Sequence, residues 1–422
     1  MQKTLLFAKF LLSTKGAIMT PEKTQLKIYS DRKNIKHSNK IINQIKITSN
    51  ANVIELENPT VVVDTKTIAY GVFDKNGKFV KQSLQYRGKT HQFIPRKVPK
   101  DPEYINATAI LVGNIYPHFG HFLVEQINRL YGAIDKPRDI KYVFIDNRGI
   151  GAQNFVYEFM SAFGVEKENI VILNKSTRFK KLYIPKQTLN ISGAQIDENM
   201  PRGYREMANN IHGAGFDKVY MSRDKLPESM RTLGEQKVQE IFRKNGYKII
   251  YPEQMSITEQ IAAVRDAKYL AGCAGTALHW ALFMKPGGTV ITLKRNQKRD
   301  IFVQTQYMFN TVCGLKSVFI WASTETHKSN HGGKHPPQII GVNKHLLEFF
   351  DDFGFKYSKS DIAPDKNAIK AYNEQYEQYT AENGSSTYIR FCKTFVKIIS
   401  CFIPGRINRN HARRWLKTKL HI

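Results

Sequence analysis

The stretch "KYLAGCAGTALHWALFMKPGGTVITLKR" (residues 268–295) decides the fold of the second half of the chain. It begins with a short apolar run, 268–272, of the kind found in buried parallel strands. Small residues then lead into an apolar segment at 276–284 that predicts a helix. A Pro-Gly-Gly turn follows, and 289–295 is apolar again. Strand, helix and strand joined by short connections predict a parallel, doubly wound sheet covered by helices.

The same pattern extends upstream. Apolar runs at 218–223 and 247–252 predict two more strands. Between the strands, two residue pairs have the spacing of a capping box, which predicts the start of a helix. The pairs are Thr232 with Glu235 and Ser256 with Glu259.

The corner between strand and helix at 272–276 predicts an anion site. Gly275 lets the backbone approach a ligand, and Thr276 opens the helix, whose first N–H groups and positive dipole end favour negative charge. Arg223 ends its own strand, and the carboxyl ends of parallel strands meet at one edge of the sheet. We therefore expect Arg223 to help hold a diphosphate there. Lys225 and Arg231 are further candidates, although both also fit a solvated loop.

The first half of the chain has a similar pattern around "LVGNIYPHFGHFLVEQINRL" (111–130). Buried strands are predicted at 108–113, 141–147, 169–174 and 180–186. Upstream, 69–83 alternates around Asn76-Gly77, which predicts a hairpin with a two-residue turn.

Residues 118–131 are predicted to form a helix with two different faces. At about 100° per residue, its polar side chains fall within an arc of about 80°. The polar face carries His118, His121, Glu125 and Asn128, and the apolar face carries Phe119, Phe122, Leu123, Ile127 and Leu130.

The polar face suits general base catalysis, because a carboxylate beside a histidine orients the imidazole and supports its charge. Two other interpretations remain. His118, His121 and Glu125 have a spacing that can chelate zinc, although no further His/Asp cluster stands nearby. A solvated face is the simpler account of Asn128.

The net charge of +28 is concentrated at the two ends of the chain. Residues 1–48 hold ten Lys/Arg against two acids, and 386–422 hold nine Lys/Arg and no acid. Such ends predict contact with a polyanion or an anionic membrane.

The last segment, 388–420, has the pattern of a basic amphipathic helix that breaks at Pro404-Gly405. Its apolar side is Phe391, Phe395, Ile398, Ile399 and Phe402, with Arg390, Lys393 and Lys397 between them; Arg406, Arg409, Arg413, Arg414, Lys417 and Lys419 surround Trp415 and Leu416 beyond the break.

The sequence contains no run of about 18 or more apolar residues, so it predicts no membrane-spanning helix. The start, 1–16, lacks a signal-peptide cleavage site, and the four cysteines have no C-x-x-C spacing. We expect a cytoplasmic protein with free thiols.

The motifs together resemble those of glycosyltransferase family 61, which includes bacterial capsular polysaccharide biosynthesis proteins. The similarity spans about 60–300. The matching motifs are "NIYPHFGHF" (114–122), Ser222-Arg223 followed by Arg231 and Glu235, "EQMSITEQI" (253–261) and "GCAGTAL" (272–278). The chain departs from the family at His121, where many eukaryotic members have an acid, and at 274–277, where the family often has His-Gly-Ala-Gly. His279, one helical turn further on, is a candidate replacement for that histidine.

The resemblance implies a GT-B fold, in which two Rossmann-like domains face each other across a cleft. It implies an inverting, metal-independent transfer of a hexose or pentose from a nucleotide sugar, with UDP as the expected carrier. The acceptor is a hydroxyl of a growing surface polysaccharide or glycolipid. No separate cofactor and no specific nucleic-acid partner are expected.

The resemblance also implies roles for particular residues. The catalytic set is His121, Glu125 and His118, and the donor-binding set is Asn114, Arg223, Lys225, Arg231, Cys273, Gly275, Thr276, Ala277 and His279.

The expected organisation has five parts. They are a basic peripheral segment (1–59), an acceptor-side domain (60–205), a nucleotide-sugar domain (206–330), C-terminal helices (331–385) and a tail (386–422) that attaches the enzyme to the inner face of the cell membrane. Two alternatives remain: a metal-dependent hydrolase that uses His118, His121 and Glu125, and a non-enzymatic polyanion-binding protein.

Overall fold

The computed structural model describes residues 25–296, 301–327, 336–383, 386–403, 409, 412–413 and 415–416. This part of the chain is a mixed α/β structure built on two large sheets. The predicted start at 1–16 and most of the second basic segment of the tail lie outside the described residues.

The second half of the chain forms a six-stranded sheet in which every neighbouring pair of strands is parallel. The four strands predicted at 218–295 are confirmed, and they lie next to one another. In spatial order the strands are Leu26–Tyr29, Lys316–Trp321, Thr289–Lys294, Tyr269–Cys273, Lys218–Met221 and Lys248–Ile250.

The edge strand Leu26–Tyr29 comes from the segment that was expected to be peripheral. A second strand of that segment, Val53–Glu57, pairs with Thr177–Pro185 in the other large sheet. The expectation of a peripheral segment was therefore wrong for these strands. A polar stretch with no clear periodicity gave no signal of pairings more than 100 residues away.

The first half of the chain forms an eight-stranded sheet that is only partly parallel. The predicted strands are confirmed as a parallel block: Ile170–Leu173, Lys141–Ile145, Glu103–Asn114 and Thr177–Pro185. Antiparallel strands continue the sheet at Thr60–Asp64, Ala69–Phe73 and Phe79–Val80. The expectation of a purely doubly wound sheet is thus correct for one half of this sheet only.

The predicted hairpin at 69–83 exists, but its turn is longer than expected. Phe73 pairs with Phe79, so five residues form the loop. The Asp74 backbone N–H donates to the Lys78 carbonyl, and Gly77 has a φ of 77°. The prediction of a two-residue Asn-Gly turn was wrong because the Asp74 carboxylate accepts hydrogen bonds from the Asn76 and Lys78 backbones and stabilises a wider loop.

Short strands and helices complete the fold. Two small sheets pair Leu189–Asn190 with Gln195–Asp197 and Lys46–Thr48, and Tyr86–Arg87 with Thr90–His91. The α-helices are Arg32–Ile42, Phe119–His121, Asn154–Ala162, Met200–Asn210, Glu235–Lys244, Ile257–Arg265, Ile301–Cys313, Lys344–Asp352, Lys359–Ile362, Lys366–Asn383 and Ser386–Cys401. Single turns of 3-10 helix are Lys81–Ser83, Lys167–Asn169, Ile191–Gly193, Glu228–Met230 and Pro252–Gln254, and Thr276–Phe283 is a longer 3-10 helix. Among the described helices, none combines the length and the apolar character needed to cross a bilayer.

An aromatic cluster joins helices that flank the two large sheets. The Trp280 ring stacks on Phe159 at 6.0 Å and lies 6.2 Å from Phe119. Tyr204 meets Phe283 edge to face at 5.4 Å. Trp280 and Phe159 are almost completely buried. Rings of this size bury large apolar areas and pack in specific orientations, so they hold the starts of two helices, at Phe119 and Thr276, in one fixed arrangement.

Only one of the two predicted capping boxes forms. Ser256 and Glu259 make both reciprocal hydrogen bonds at the start of the Ile257–Arg265 helix. The prediction for Thr232 and Glu235 was wrong. The helix begins at Glu235 after Gly234, which has a φ of 75° and supplies no side-chain cap. The Glu235 side chain turns into the protein interior instead.

Gly234 generates a stability prediction. An alanine there would adopt a left-handed conformation, and its Cβ would overlap the Ile340 carbonyl oxygen. Gly246 has a similar φ of 82° but nothing within 4 Å of an added Cβ. We expect Gly246→Ala to cost about 1–2 kcal/mol of unfolding free energy from backbone strain alone. Gly234→Ala should cost about 1–3 kcal/mol more from the overlap.

Chemical denaturation of both variants measures the difference. Equal destabilisation of the two variants would contradict the close contact between Gly234 and Ile340.

Candidate active site

A cavity of about 880 Å³ lies beside the aromatic cluster and collects residues from both halves of the chain. Its lining includes His118 and His121 from the first half, and Arg223, Gly275 and Thr276 from the second. The two sequence regions singled out for their chemistry therefore face the same space.

The histidine segment is not the regular helix that was predicted. Phe119–His121 is a short α-helical turn, Phe122–Gln126 is π-helical, and Ile127–Ala133 is 3-10 helical. Such π-turns are rare and occur frequently at functional sites. The predicted apolar face is nevertheless buried, including Phe122, Leu123, Ile127 and Leu130.

Asn128 is also buried, so the interpretation of a solvated face was wrong for it. Its side-chain amide donates to the Val124 and Glu125 carbonyls, and its Oδ1 accepts from the Thr188 backbone N–H. Asn128 thus satisfies backbone groups that the irregular helix leaves without regular partners.

His121 and Glu125 are in direct contact, as their spacing predicts. The His121 Nδ1 lies at hydrogen-bond distance from a carboxylate oxygen of Glu125. Arg87 binds the same carboxylate, with Nε 2.7 Å from Oε1 and Nη2 2.7 Å from Oε2, and its Nη2 also lies 2.9 Å from the His121 Nδ1. The Glu125 side chain is only 4% exposed. Two-pronged guanidinium–carboxylate pairs of this kind combine strength with a fixed geometry.

The Glu125 carboxyl group is held in its ionised form. Burial alone would raise its pKa, but hydrogen bonds from His121 and Arg87 outweigh burial and lower the pKa below the ordinary value. An ionised Glu125 requires a proton between its oxygen and the His121 Nδ1. In the neutral ring, a proton on Nδ1 leaves the lone pair on the Nε2 of His121.

His118 lies next to this group. The His118 and His121 ring centroids are 5.0 Å apart, and Tyr116 meets His121 edge to face at the same distance. Burial, followed by repulsion from His121, lowers the pKa of His118.

The opposite wall of the cavity is cationic. An added Cβ on Gly275 would lie 3.3 Å from Nη1 of Arg223 and 3.8 Å from Nη2 of Arg295, so both guanidinium groups border the same small residue. Arg295 is oriented by a 3.0 Å hydrogen bond from its Nε to the Ala274 carbonyl, and Arg223 by a 2.9 Å bond to the Met230 carbonyl. Two neighbouring guanidinium groups at the end of a parallel sheet are chemically suited to an anion.

The cationic wall and the histidine segment touch at Gly120. An added Cβ there would lie only 2.6 Å from the Thr276 Oγ1 and 3.3 Å from the His118 ring. Only a residue without a side chain allows the two chain segments to approach this closely. Gly120 therefore sets the short separation between the histidines and the anion site.

The structure brings most, but not all, of the predicted site residues to the cavity. The residues that line it are His118, His121, Arg223, Arg231, Gly275, Thr276, Ala277 and His279. Glu125 lies directly behind His121, and Cys273 is buried beneath the floor.

Lys225 and Asn114 are not brought to the cavity. The Lys225 ammonium lies 5.7 Å from the centroid of the Tyr251 ring, and the Asn114 backbone N–H donates to Gln126. The candidate replacement His279 faces the cavity with an almost buried ring. Burial lowers its pKa to about 4, opposed by the hydrogen bond that the His279 Nδ1 donates to the Gln306 Oε1. His279 is thus neutral and carries no charge toward an anion.

Sequence reasoning missed two arginines of the cavity lining, Arg87 and Arg295. Arg295 directly follows the Thr289–Lys294 strand, so the rule that selected Arg223 also applied to it. Arg87 lies in the short Tyr86–Arg87 strand, which has no hydrophobic pattern of its own. Within the described residues, no three His, Cys, Asp or Glu side chains form a group that suits a metal ion.

An α/β structure with parallel sheets and this combination of a histidine–carboxylate pair with an arginine anion site is compatible with a glycosyltransferase. Comparison with protein families agrees: residues 119–291 match the model of the family Glycosyltransferase 61. No curated protein matches the chain. The matched range contains His121, Glu125, Arg223 and Gly275, whereas Arg87 and Arg295 lie outside it. The match suggests glycosyltransferase activity.

The cationic wall generates a binding prediction. Arg223→Ala should weaken the binding of inorganic pyrophosphate by about 1.5–3 kcal/mol, the typical contribution of hydrogen bonds to a charged group. Arg243→Ala is the matched control, because Arg243 lies on the surface and pairs with Glu240. Calorimetric titration measures both affinities, and an Arg223→Ala affinity equal to that of the wild type would remove Arg223 from the anion site.

Proposed function

We propose that the protein is an inverting, metal-independent glycosyltransferase that moves a sugar from a nucleotide-sugar donor to a hydroxyl group of a growing surface polysaccharide or glycolipid. The observation that carries the proposal is the shared cavity. It presents an oriented histidine–carboxylate pair on one wall and a pair of arginines beside Gly275 on the other. Sugar transfer with inversion needs a base for the acceptor and an anion site for the leaving diphosphate.

His121 acts as the general base in this proposal. Its Nε2 accepts the proton of the acceptor hydroxyl while the oxygen attacks the anomeric carbon from the face opposite the nucleotide. The imidazolium that forms is stabilised by the Glu125 carboxylate on Nδ1. Arg87 holds that carboxylate in place through both of its oxygens. His118 borders the same space and contacts the acceptor.

The donor occupies the opposite wall. Its diphosphate lies against Arg223, Arg295 and the backbone of Gly275 and Thr276, where the short helix begins. As the bond to the sugar breaks, negative charge grows on the diphosphate, and fixed guanidinium groups stabilise that charge without having to reorganise. The two arginines supply the positive charge that a divalent cation supplies in metal-dependent transferases. We propose UDP as the nucleotide and a GT-B arrangement for the two halves, with the acceptor on the side of the first sheet.

The metal-dependent hydrolase alternative is weakened by Arg87. Both oxygens of Glu125 already accept hydrogen bonds from the Arg87 guanidinium, and the Nδ1 of His121 points at the same carboxylate. A metal ion that used Glu125 would have to displace a buried, charge-assisted pair and would lie beside a cation. These contacts favour catalysis by proton transfer.

The base assignment leads to a kinetic prediction. General base catalysis contributes about 10²–10⁴-fold to rate, so His121→Ala should lose about that factor in kcat while nucleotide affinity stays unchanged. His212→Ala, at an exposed histidine away from the cavity, is the control. If His121→Ala retains activity and Glu125→Gln does not, Glu125 is the base. Inhibition by a chelator would revive the metal-dependent alternative.

We further propose that the C-terminal tail docks on the anionic inner face of the cell membrane, where a lipid-linked acceptor would lie. The helix Ser386–Cys401 supports this, because it packs through one edge and exposes an apolar stripe. Cys392, Val396 and Ser400 are buried, four residues apart. The exposed stripe consists of Phe391 (70% exposed), Phe395 (44%), Ile398 (56%) and Phe402 (83%).

The charge of the tail indicates that the apolar stripe contacts an anionic membrane. The segment 386–422 has nine basic residues and no acid, and Trp415 adds another exposed ring at 62%. Aromatic and aliphatic side chains that insert between the lipid headgroups, flanked by lysine and arginine, are typical of helices that lie in the plane of an anionic membrane. Each basic residue near such a surface contributes about 1 kcal/mol.

Co-sedimentation with liposomes tests the docking. The full chain should pellet with vesicles that contain phosphatidylglycerol at low salt and be released at high salt, whereas a chain that ends at Ser385 should stay in solution. Phe391→Ser combined with Phe402→Ser should also release the protein. Phe93→Ser is the matched control, since Phe93 is a similarly exposed ring (42%) elsewhere. Equal pelleting of all variants would contradict a role for the tail.

A further inference from the structure

Glu235 is a buried carboxyl group directly behind the anion site. It is 1% exposed and does not line the cavity. Its Oε1 accepts a 3.2 Å hydrogen bond from the Tyr220 hydroxyl and a 3.3 Å bond from the Arg223 backbone N–H. Apart from the weakly donating thiol of Cys273, no described residue offers a hydrogen bond to Oε2. A carboxylate that is only half satisfied in a dry interior is costly, and a proton on the free oxygen relieves that cost.

The groups around Glu235 come from three neighbouring strands. Tyr220 lies in the Lys218–Met221 strand, and Arg223 follows that strand. Cys273 ends the Tyr269–Cys273 strand, and Arg295 follows the Thr289–Lys294 strand. Burial raises the pKa of both Tyr220 and Cys273 far above their ordinary values, so both are neutral. Lys294 lies over the Trp321 ring at 4.0 Å. The cations whose attraction lowers the pKa of Glu235 are Arg223 and Arg295.

The ionisation of Glu235 is a balance between burial and these two cations. Burial raises its pKa to about 7, against the opposing attraction of Arg223 and Arg295. Both arginines are the groups that border the proposed diphosphate position at Gly275. An anion that compensates their charge removes the attraction that keeps Glu235 ionised.

We propose that Glu235 is a positioning residue that couples diphosphate binding to the uptake of one proton. The inference rests on the proposed function, because it assumes that the anion at this site is the diphosphate of a nucleotide. Above a pH of about 7, Glu235 in the empty site is a carboxylate that balances the two guanidinium groups. When the diphosphate binds, its charge replaces that of Glu235, and the carboxylate takes a proton from the solvent on Oε2.

The direction of the pH dependence follows from this exchange. The bound form holds Glu235 protonated to a higher pH than the free form does, so protons and diphosphate bind cooperatively. The affinity of the protein for the diphosphate is then highest where Glu235 is already protonated, at and below a pH of about 7. It falls as the pH rises above that value, by up to about tenfold per pH unit for a single linked proton. Release of the nucleotide returns the proton.

Calorimetric titration of the full chain with UDP tests the coupling. At pH 8 the terminal phosphate of UDP is ionised, so proton uptake must come from the protein. Titrations in HEPES and in Tris, which differ in ionisation enthalpy, should yield uptake approaching one proton per UDP bound. Glu235→Gln, which mimics the protonated form, should show no uptake and should bind UDP at pH 8 as tightly as the wild type does near pH 6. Glu240→Gln, on the exposed side of the same helix, is the control and should behave as the wild type.

A second measurement needs no variant. The wild-type dissociation constant for UDP, followed from pH 7.5 to pH 9, should rise steadily and approach a tenfold increase per unit. UDP binding with an affinity independent of pH and without proton uptake would overturn the coupling while leaving the proposed function intact. If UDP, GDP and CDP all fail to bind the wild-type protein, the proposed function fails, and the coupling fails with it.

Discussion

The close approach of two chain segments at Gly120 is the constraint on which the site depends. A glycine at this position lets the start of the histidine segment lie against Thr276, at the start of the short helix that follows the second parallel sheet. The stacked rings of Phe119, Phe159 and Trp280 hold the two segments together from the buried side. Because Phe159 and Trp280 are almost completely buried, they leave little freedom for the two segments to move apart. The cavity is thus a consequence of how the two halves pack.

Electrostatics divides that cavity into two walls with different tasks. On one wall, Glu125 stays ionised despite burial because Arg87 and His121 both donate to it. On the other, Glu235 is buried behind Arg223 and Arg295, and burial raises its pKa. The two carboxyl groups differ in the number of charge-assisted hydrogen bonds they receive. The first is fixed as a carboxylate that supports a histidine, and the second is free to exchange a proton with the solvent when the charge in front of it changes.

The sequence predicted the strands and side-chain contacts that depend on local residue patterns. The apolar runs predicted eight strands of the two large sheets, and the spacing of His121 and Glu125 predicted their contact even though the helix between them is π-helical. Pattern reasoning failed where partners are distant. Arg87 reaches Glu125 from 38 residues away through a hairpin without periodicity, and Leu26–Tyr29 pairs with Lys316–Trp321, a strand in the last third of the chain. It also failed at Glu235, where a capping-box spacing gave no sign that the side chain turns inward.

The central claim is that the histidine–carboxylate wall and the arginine wall act on one bound nucleotide sugar. The most direct measurement is a crystal structure of the protein with UDP. The diphosphate should contact Arg223 and Arg295 beside Gly275, with the terminal phosphate directed toward the space in front of the His121 Nε2. UDP bound elsewhere, or a metal ion held by His118, His121 and Glu125, would contradict the account.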